Sequence, residues 1–175
     1  AFHLEEQLSL AELATRLLLS DDPLNEMDHW SGWFAVVHAK QGQVHAYHDA
    51  AAGHKIYIRG LPSQGKWFGS DPKLSAHWAP LAPHKDKDLR EFHDSQWLKK
   101  RGIPVGNMTP YEGTRQVGAN HRLNWSTFDA ERIFPREDAK PMSPDEALDF
   151  VIPWLENVIA QATQSHRVNM AVTAG

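Results

Sequence analysis

The chain has 175 residues, 41% of them hydrophobic, and a formal net charge of -4, so it can bury one core and lacks the basic surplus of a nucleic-acid surface. It contains no cysteine, which excludes disulfides, thiolate metal sites and a cysteine nucleophile within these residues. No apolar stretch approaches the roughly 20 residues needed to span a bilayer, and Phe2 to Gln7 lack a basic leader with a long apolar run, so a cytoplasmic setting is the expectation.

From the start, Leu8 to Leu19 sets Leu8, Leu10, Leu13, Leu17 and Leu18 near one stripe, and Asp21, Asp22 and Pro23 end it, which predicts an amphipathic helix. Trp33 to Ala39, with β-branched Val36 and Val37, predicts a strand that turns at Lys40 to Gln43 and returns over Val44 to His48. Asp49 to Gly53 reads as a bend, Lys55 to Arg59 as a strand with Ile56 and Ile58 on one face, and Lys66 to Gly69 as a further short strand after a turn at Leu61 to Gly65. The expectation is a four-stranded meander.

Pro72, Pro80 and Pro83 interrupt the middle of the chain, where Leu74 to Trp78 predicts one helical turn. Asp86 to Leu98 predicts a longer helix with Leu89, Phe92, Gln96 and Trp97 near one face and Gly102 as its cap, and Lys99, Lys100 and Arg101 read as its solvated end. Thr114 to Val117 and His121 to Trp125 read as two strands joined across Gly118, Ala119 and Asn120, the second an edge strand. Seven Trp residues are present, and Trp67, Trp78, Trp97, Trp125 and Trp154 sit among apolar neighbours, which favours core and rim packing over a stacking surface for sugars or bases.

Residues 135–143 are polar and proline-rich, as in a linker. Ser143, Pro144, Asp145 and Glu146 then form a capping box, and the helix after it should bury Leu148, Val151, Ile152, Leu155, Val158, Ile159 and Ala162, with Pro153 bending it. Alternating Val168, Met170 and Val172 predict a strand that runs into a turn at Thr173, Ala174 and Gly175, where small residues let the backbone approach a phosphate closely. The order helix, strand, glycine loop is how a nucleotide-binding α/β domain commonly begins. Because Ala1 is not an initiator Met and the loop stops at Gly175, both ends read as cuts within a longer protein.

Two side-chain clusters invite chemistry. His45, His48 and His54 are close in sequence and conceivable as a zinc site, but residues three apart on a strand point to opposite faces, so hydrogen-bonded hairpin histidines are the expectation and no metal ligand is assigned. His93, Asp94 and Ser95 have the composition of a triad, yet adjacent residues rarely converge. No catalytic residue is assigned.

The stretch Trp30 to Val37, followed by Tyr47 to Ile58, resembles the G-x-F-A … D-x-x-G-x-x-P-L-Y-Y segment of asparagine synthetases. Phe68 to Leu74 resembles that family's A-S-E-x-K-A-L segment, Tyr111 to Leu123 its phrase ending in P-P-G-H, and Val172 to Gly175 the first half of its S-G-G-x-D-S pyrophosphate loop. The resemblance keeps family order over nearly the whole chain. It implies an α+β protein: an Ntn-type αββα sandwich of glutaminase type, incomplete at its N-terminus, over residues 1–134, a linker at 135–143, and the first helix and strand of an α/β ATP-pyrophosphatase domain over 144–175.

The same resemblance implies an ATP-dependent amide-forming ligase, with ATP and magnesium serving the parent, a small-molecule carboxylate and an amine donor as its reactants, and Thr173, Ala174 and Gly175 as part of the pyrophosphate loop. It also implies what departs from the pattern. The family's nucleophilic N-terminal Cys, its Arg-Leu and Asn-Gly-Glu elements and its Asp for the amino group have no counterpart, so this chain alone should neither hydrolyse glutamine nor need a cofactor. The alternative is an Ntn-like domain turned non-catalytic binding or scaffolding module in a modification pathway. An open strand edge and exposed Trp residues offer a surface for a homodimer, whereas neither a nucleic acid nor a membrane is an expected partner.

Overall fold

The computed structural model describes residues 1–61, 65–101, 106–138, 140–165 and 167, with the side chains of Lys99, Arg101 and Ser165 left aside. Helices and sheets are mixed in an α+β arrangement, and the chain divides into two compact units, Trp33–Arg136 and a second made of Ala1–Gly32 with the described residues from Glu137 onward. The grouping differs from a single domain over 1–134.

In the unit that contains Ala1–Gly32, strand β1 (Phe2–His3) pairs antiparallel with β2 (Trp30–Ser31), and helices α1 (Leu10–Leu19) and α2 (Pro23–Met27) lie between them in sequence. Ser9 caps α1 through a full capping box with Glu12, and Asp22 caps α2 by accepting from the Leu24 and Asn25 amides. Only Leu13 and Leu17 of the expected α1 stripe are buried, while Leu10 and Leu18 are exposed and Leu8 precedes the cap.

Helix α5 (Pro144–Ser165) starts as its sequence predicts: the Ser143 amide and hydroxyl both donate to the Glu146 carboxylate at 2.8 Å, and the Glu146 amide donates back to the Ser143 hydroxyl. Its buried face does not follow the prediction. Leu148, Val151, Ile152, Leu155 and Ile159 are exposed, Leu155 to 54%, whereas Gln161 is 6% exposed. The reason lies at β1, where the Gln161 amide donates to the His3 carbonyl at 2.7 Å and the Asn157 amide to the Leu4 carbonyl at 2.8 Å. Two backbone acceptors need donors, so the polar stripe of α5 turns to them. The strand expected over Val168 to Val172 lies outside the described residues.

The Trp33–Arg136 unit holds two antiparallel sheets instead of one meander. The first has the order β3 (Ala35–Lys40), β4 (Gln43–His48), β8 (His121–Asn124), β9 (Asp129–Arg132), and the second β6 (Gly65–Gly69), β5 (Tyr57–Leu61), β7 (Thr114–Gln116). The β3–β4 hairpin forms as predicted, with Gln41 at φ 53° and Gly42 at φ 78°, the mirror-image turn that matches strand twist. Strand β8 is central rather than an edge, because β4 covers one side and β9 the other, and β7 belongs to the opposite sheet, so the two strands flanking Gly118 do not pair.

One core joins the sheets: Ala46 and Leu123 come from the first, Ile58 from β5 and Ile56 from just before it, and Val117 from just after β7, with Phe68, Trp125, Phe128 and Ala130 packed around them. Two sheets with a common apolar filling make a sandwich. Of the five Trp expected in core or rim, Trp67 is buried and Trp125 packs edge-on against Phe68 and Phe128, while Trp78 and Trp97 are exposed. The expected helix over Asp86 to Leu98 is two helices, α3 (Lys87–Asp94) and α4 (Gln96–Arg101), preceded by a 3-10 helix over Pro72–His77. Ser95 breaks it, with an extended backbone (φ -63°, ψ 147°) and a hydroxyl that accepts from the Leu98 amide at 3.3 Å. Gly102 lies outside the described residues.

Candidate functional site

Successive side chains alternate across a strand, so Ile58, which enters the core, leaves Tyr57 and Arg59 on the outer face of the second sheet; Lys55 lies two residues before β5, where the strand expected over Lys55 to Arg59 has not yet begun. Tyr57 stands directly opposite Gln116 on β7, and Arg59 opposite Thr114, which extends that outer face to the neighbouring strand. Segments from both sides cover it. Arg59 is buried and holds the 3-10 helix and the chain after it, donating to the Ser75 hydroxyl at 3.1 Å, the Ala79 carbonyl at 2.8 Å and the Pro80 carbonyl at 2.6 Å. Across the sheet the Gln116 amide donates to the Asn107 carbonyl at 2.8 Å, and the Thr109 hydroxyl to the Thr114 carbonyl at 2.8 Å, which ties the loop before β7 to the strand.

These supports leave two cavities that share Lys55 and Gln116 as walls. The smaller, about 330 Å³, is also bounded by Tyr57, Asp71, His93 and Thr109; the larger, about 620 Å³, runs past Ala52, Asn107, His121 and Asp129. Both volumes fall in the range of small-molecule sites.

The smaller cavity is chemically uneven. Gln116 is 7% exposed, and its side-chain carbonyl is buried without a hydrogen-bond partner; His93 Nε2, from α3, is likewise buried and unpartnered. Lys55 is half-buried, and among the described residues no carboxylate pairs with it. Asp71 lies on the same wall, one carboxylate oxygen accepting from the Lys73 amide at 2.8 Å. Burial, aided by the Asp71 charge, pushes the Tyr57 phenol above its ordinary range, and burial, aided by His84 against the opposing pull of Asp94, holds His93 below the usual imidazole value. Cation, carboxylate, phenol, imidazole and an unsatisfied amide acceptor therefore converge on one hollow.

The residues singled out by sequence fall elsewhere or outside. Thr173, Ala174 and Gly175 lie outside the described residues. His45 and His48 sit on β4 with rings in different settings: His45 is opposite His38 on β3, and His48 Nδ1 is 2.9 Å from the Asp49 carbonyl. Among the described residues no three His, Asp or Glu side chains gather as a metal set. Of the nominal triad, His93 faces the smaller cavity and the Ser95 hydroxyl serves as a helix cap; no hydrogen bond links either to Asp94. Sequence reading missed Lys55 and Gln116, which become neighbours only through the pairing of β5 with β7.

Among the described residues no helix is long and apolar enough to cross a membrane. Comparison of the chain with family models, with curated proteins and with solved structures gives no match.

Proposed function

We propose that the chain is part of an ATP-dependent, amide-forming ligase of the asparagine synthetase type, acting in the cytoplasm, with Trp33–Arg136 as its glutaminase-like unit of the Ntn sandwich kind. The observation that carries this reading is the common core of two antiparallel sheets, Ala46 and Leu123 meeting Ile56, Ile58 and Val117. The segments that resemble the family follow the elements in order: Trp30 to Val37 runs from β2 into β3, Tyr47 to Ile58 covers the end of β4, the bend and the start of β5, Phe68 to Leu74 leaves β6 for the 3-10 helix, and Tyr111 to Leu123 covers β7 and most of β8. The α5 helix and the Thr173, Ala174 and Gly175 loop would open the synthetase half, where ATP and magnesium serve the activation of a carboxylate that an amine then attacks. Without a thiol, these residues lack the cysteine nucleophile with which the family attacks glutamine.

The test is ATP–pyrophosphate exchange by the protein in its native context, with aspartate and a panel of other carboxylic acids. Exchange that depends on one carboxylate and falls on Gly175→Val supports the ligase. Absence of exchange with every acid overturns it and leaves the binding-module reading, which the cavity beside Lys55 and Gln116 favours.

A further inference from the structure

The sandwich contains polar groups that its own packing does not explain. A buried amide carbonyl without a donor costs about 1–3 kcal/mol, yet Gln116 is held in that position by pairing with Tyr57 on β5 and by the hydrogen bond its backbone N–H donates to the Asn107 carbonyl. Beside it stands half-buried Lys55, with which no carboxylate among the described residues pairs, and the opposite sign, Asp71, stands on the same cavity wall without meeting it. A cavity that displays a separate cation and anion, with a deep acceptor between apolar neighbours such as Leu98 and Met108, is complementary to a small molecule that carries both charges itself.

We propose that the cavity walled by Lys55, Tyr57, Asp71, His93 and Gln116 binds a zwitterionic amino acid, its carboxylate on Lys55 and its ammonium donating to the Gln116 carbonyl on the Asp71 side. The pieces divide the work. Lys55 supplies the charge-assisted bond to the acid, and Gln116 discriminates, because an acid that lacks a donor leaves its carbonyl as orphaned as before. Tyr57 stays protonated at neutral pH, since burial and Asp71 both hold its proton, so the phenol can donate to the ligand's acid as well. The inference concerns a site apart from Thr173, Ala174 and Gly175, and it stands or falls independently of the ligase reading.

The experiment is a titration of the full chain, followed by calorimetry and by the side-chain amide signals of Gln116 in nitrogen-15 spectra. The probes are the twenty protein amino acids taken singly, with succinate, L-malate and 1,4-diaminobutane as partial ligands. At least one amino acid is expected to bind with a Kd of about 1 mM or tighter and to move the Gln116 amide signals. Succinate, L-malate and diaminobutane should bind at least about tenfold more weakly, the loss of one good hydrogen bond or charge contact. Lys55→Met and Gln116→Leu should each weaken the amino acid about tenfold, and Lys85→Met, an exposed lysine away from the cavity, should change nothing. Because Lys55 has no partner among the described residues, its loss should leave the fold intact, and the Gln116 signals report binding without any variant. The proposal is overturned if no amino acid binds at 10-fold above that Kd, if succinate or diaminobutane binds as tightly, or if binding leaves the Gln116 amide unmoved.

Discussion

The Arg59 guanidinium reaches the Ser75 hydroxyl at 3.1 Å, and the same head group closes on the Ala79 and Pro80 carbonyls. A strand residue thereby carries the backbone of a distant crossing. The planar fork suits three acceptors spread in an arc, a geometry that an ammonium on a flexible stem cannot span at once. Arg59→Met should lower stability by about 2–3 kcal/mol in urea unfolding, the cost of leaving buried acceptors unmet, and Arg59→Lys should recover less than half of that loss. A lysine variant as stable as the native chain would show that the fork geometry is unimportant.

Gly53 and Gly69 lack strained backbone angles, so their neighbours decide what a methyl costs. At Gly69 an added Cβ would come within 2.6 Å of the Trp67 ring, which is buried and cannot step aside; at Gly53 it would meet Trp33 at 2.8 Å, but Trp33 is 73% exposed and free to swing. Gly69→Ala should therefore cost about 1–3 kcal/mol as overpacking does, with a changed near-ultraviolet circular dichroism. Gly53→Ala should stay within about 0.5 kcal/mol of native.

Helix α1 offers a comparison within one element. Leu13→Ala should cost about 2–5 kcal/mol, the usual range for a buried leucine, and Leu18→Ala less than about 0.5 kcal/mol, both read from chemical denaturation. Equal losses at the two positions would place the buried face wrongly.

The acid response should come in two stages. Burial, reinforced by Arg122 and His38 against the opposing Glu131, holds His45 below the usual imidazole range. A base with a lowered folded value binds its proton more readily when unfolded, so stability should begin to fall as pH drops below about 6.5. Asp49 behaves as a lowered acid: burial alone would raise it, but the Gly53 amide at 2.9 Å and the His54 amide at 3.0 Å donate to its two oxygens and outweigh that. Its contribution is full above about pH 4 and is lost as pH falls through its depressed value. Melting temperature measured from pH 8 to pH 3 should show both limbs, His45→Gln removing part of the upper one and Asp49→Asn flattening the lower.

Local grammar made some of this fold legible in advance. The β3–β4 hairpin follows from Gly42 and the β-branched pair Val36 and Val37, and the α5 start from Ser143 and Glu146, because in each case the partners lie within a few positions. The sheets were not legible, since β4 chooses β8 and β5 chooses β7 across long stretches of chain that no periodicity encodes. The same holds for the cavity: Tyr57 and Gln116 become neighbours only through that pairing, and Lys55 joins them from the segment just before β5. On α5 periodicity misled outright, for Leu148 to Ile159 have a core-like spacing, yet the carbonyls of His3 and Leu4 demanded Asn157 and Gln161.

Lys66 donates to the Trp125 carbonyl at 3.1 Å and the Ser126 carbonyl at 2.8 Å, so a side chain of β6 fastens the rim of one sheet to the loop leaving the other. Its ammonium also lies 5.5 Å from the centre of the Phe128 ring, at the edge of the shared core. An exposed amine is open to acylation. Acetylating it would remove the charge and at least one of the two bonds in a single covalent event, so the seam between the sheets is one that a chemical mark could loosen without any change of sequence.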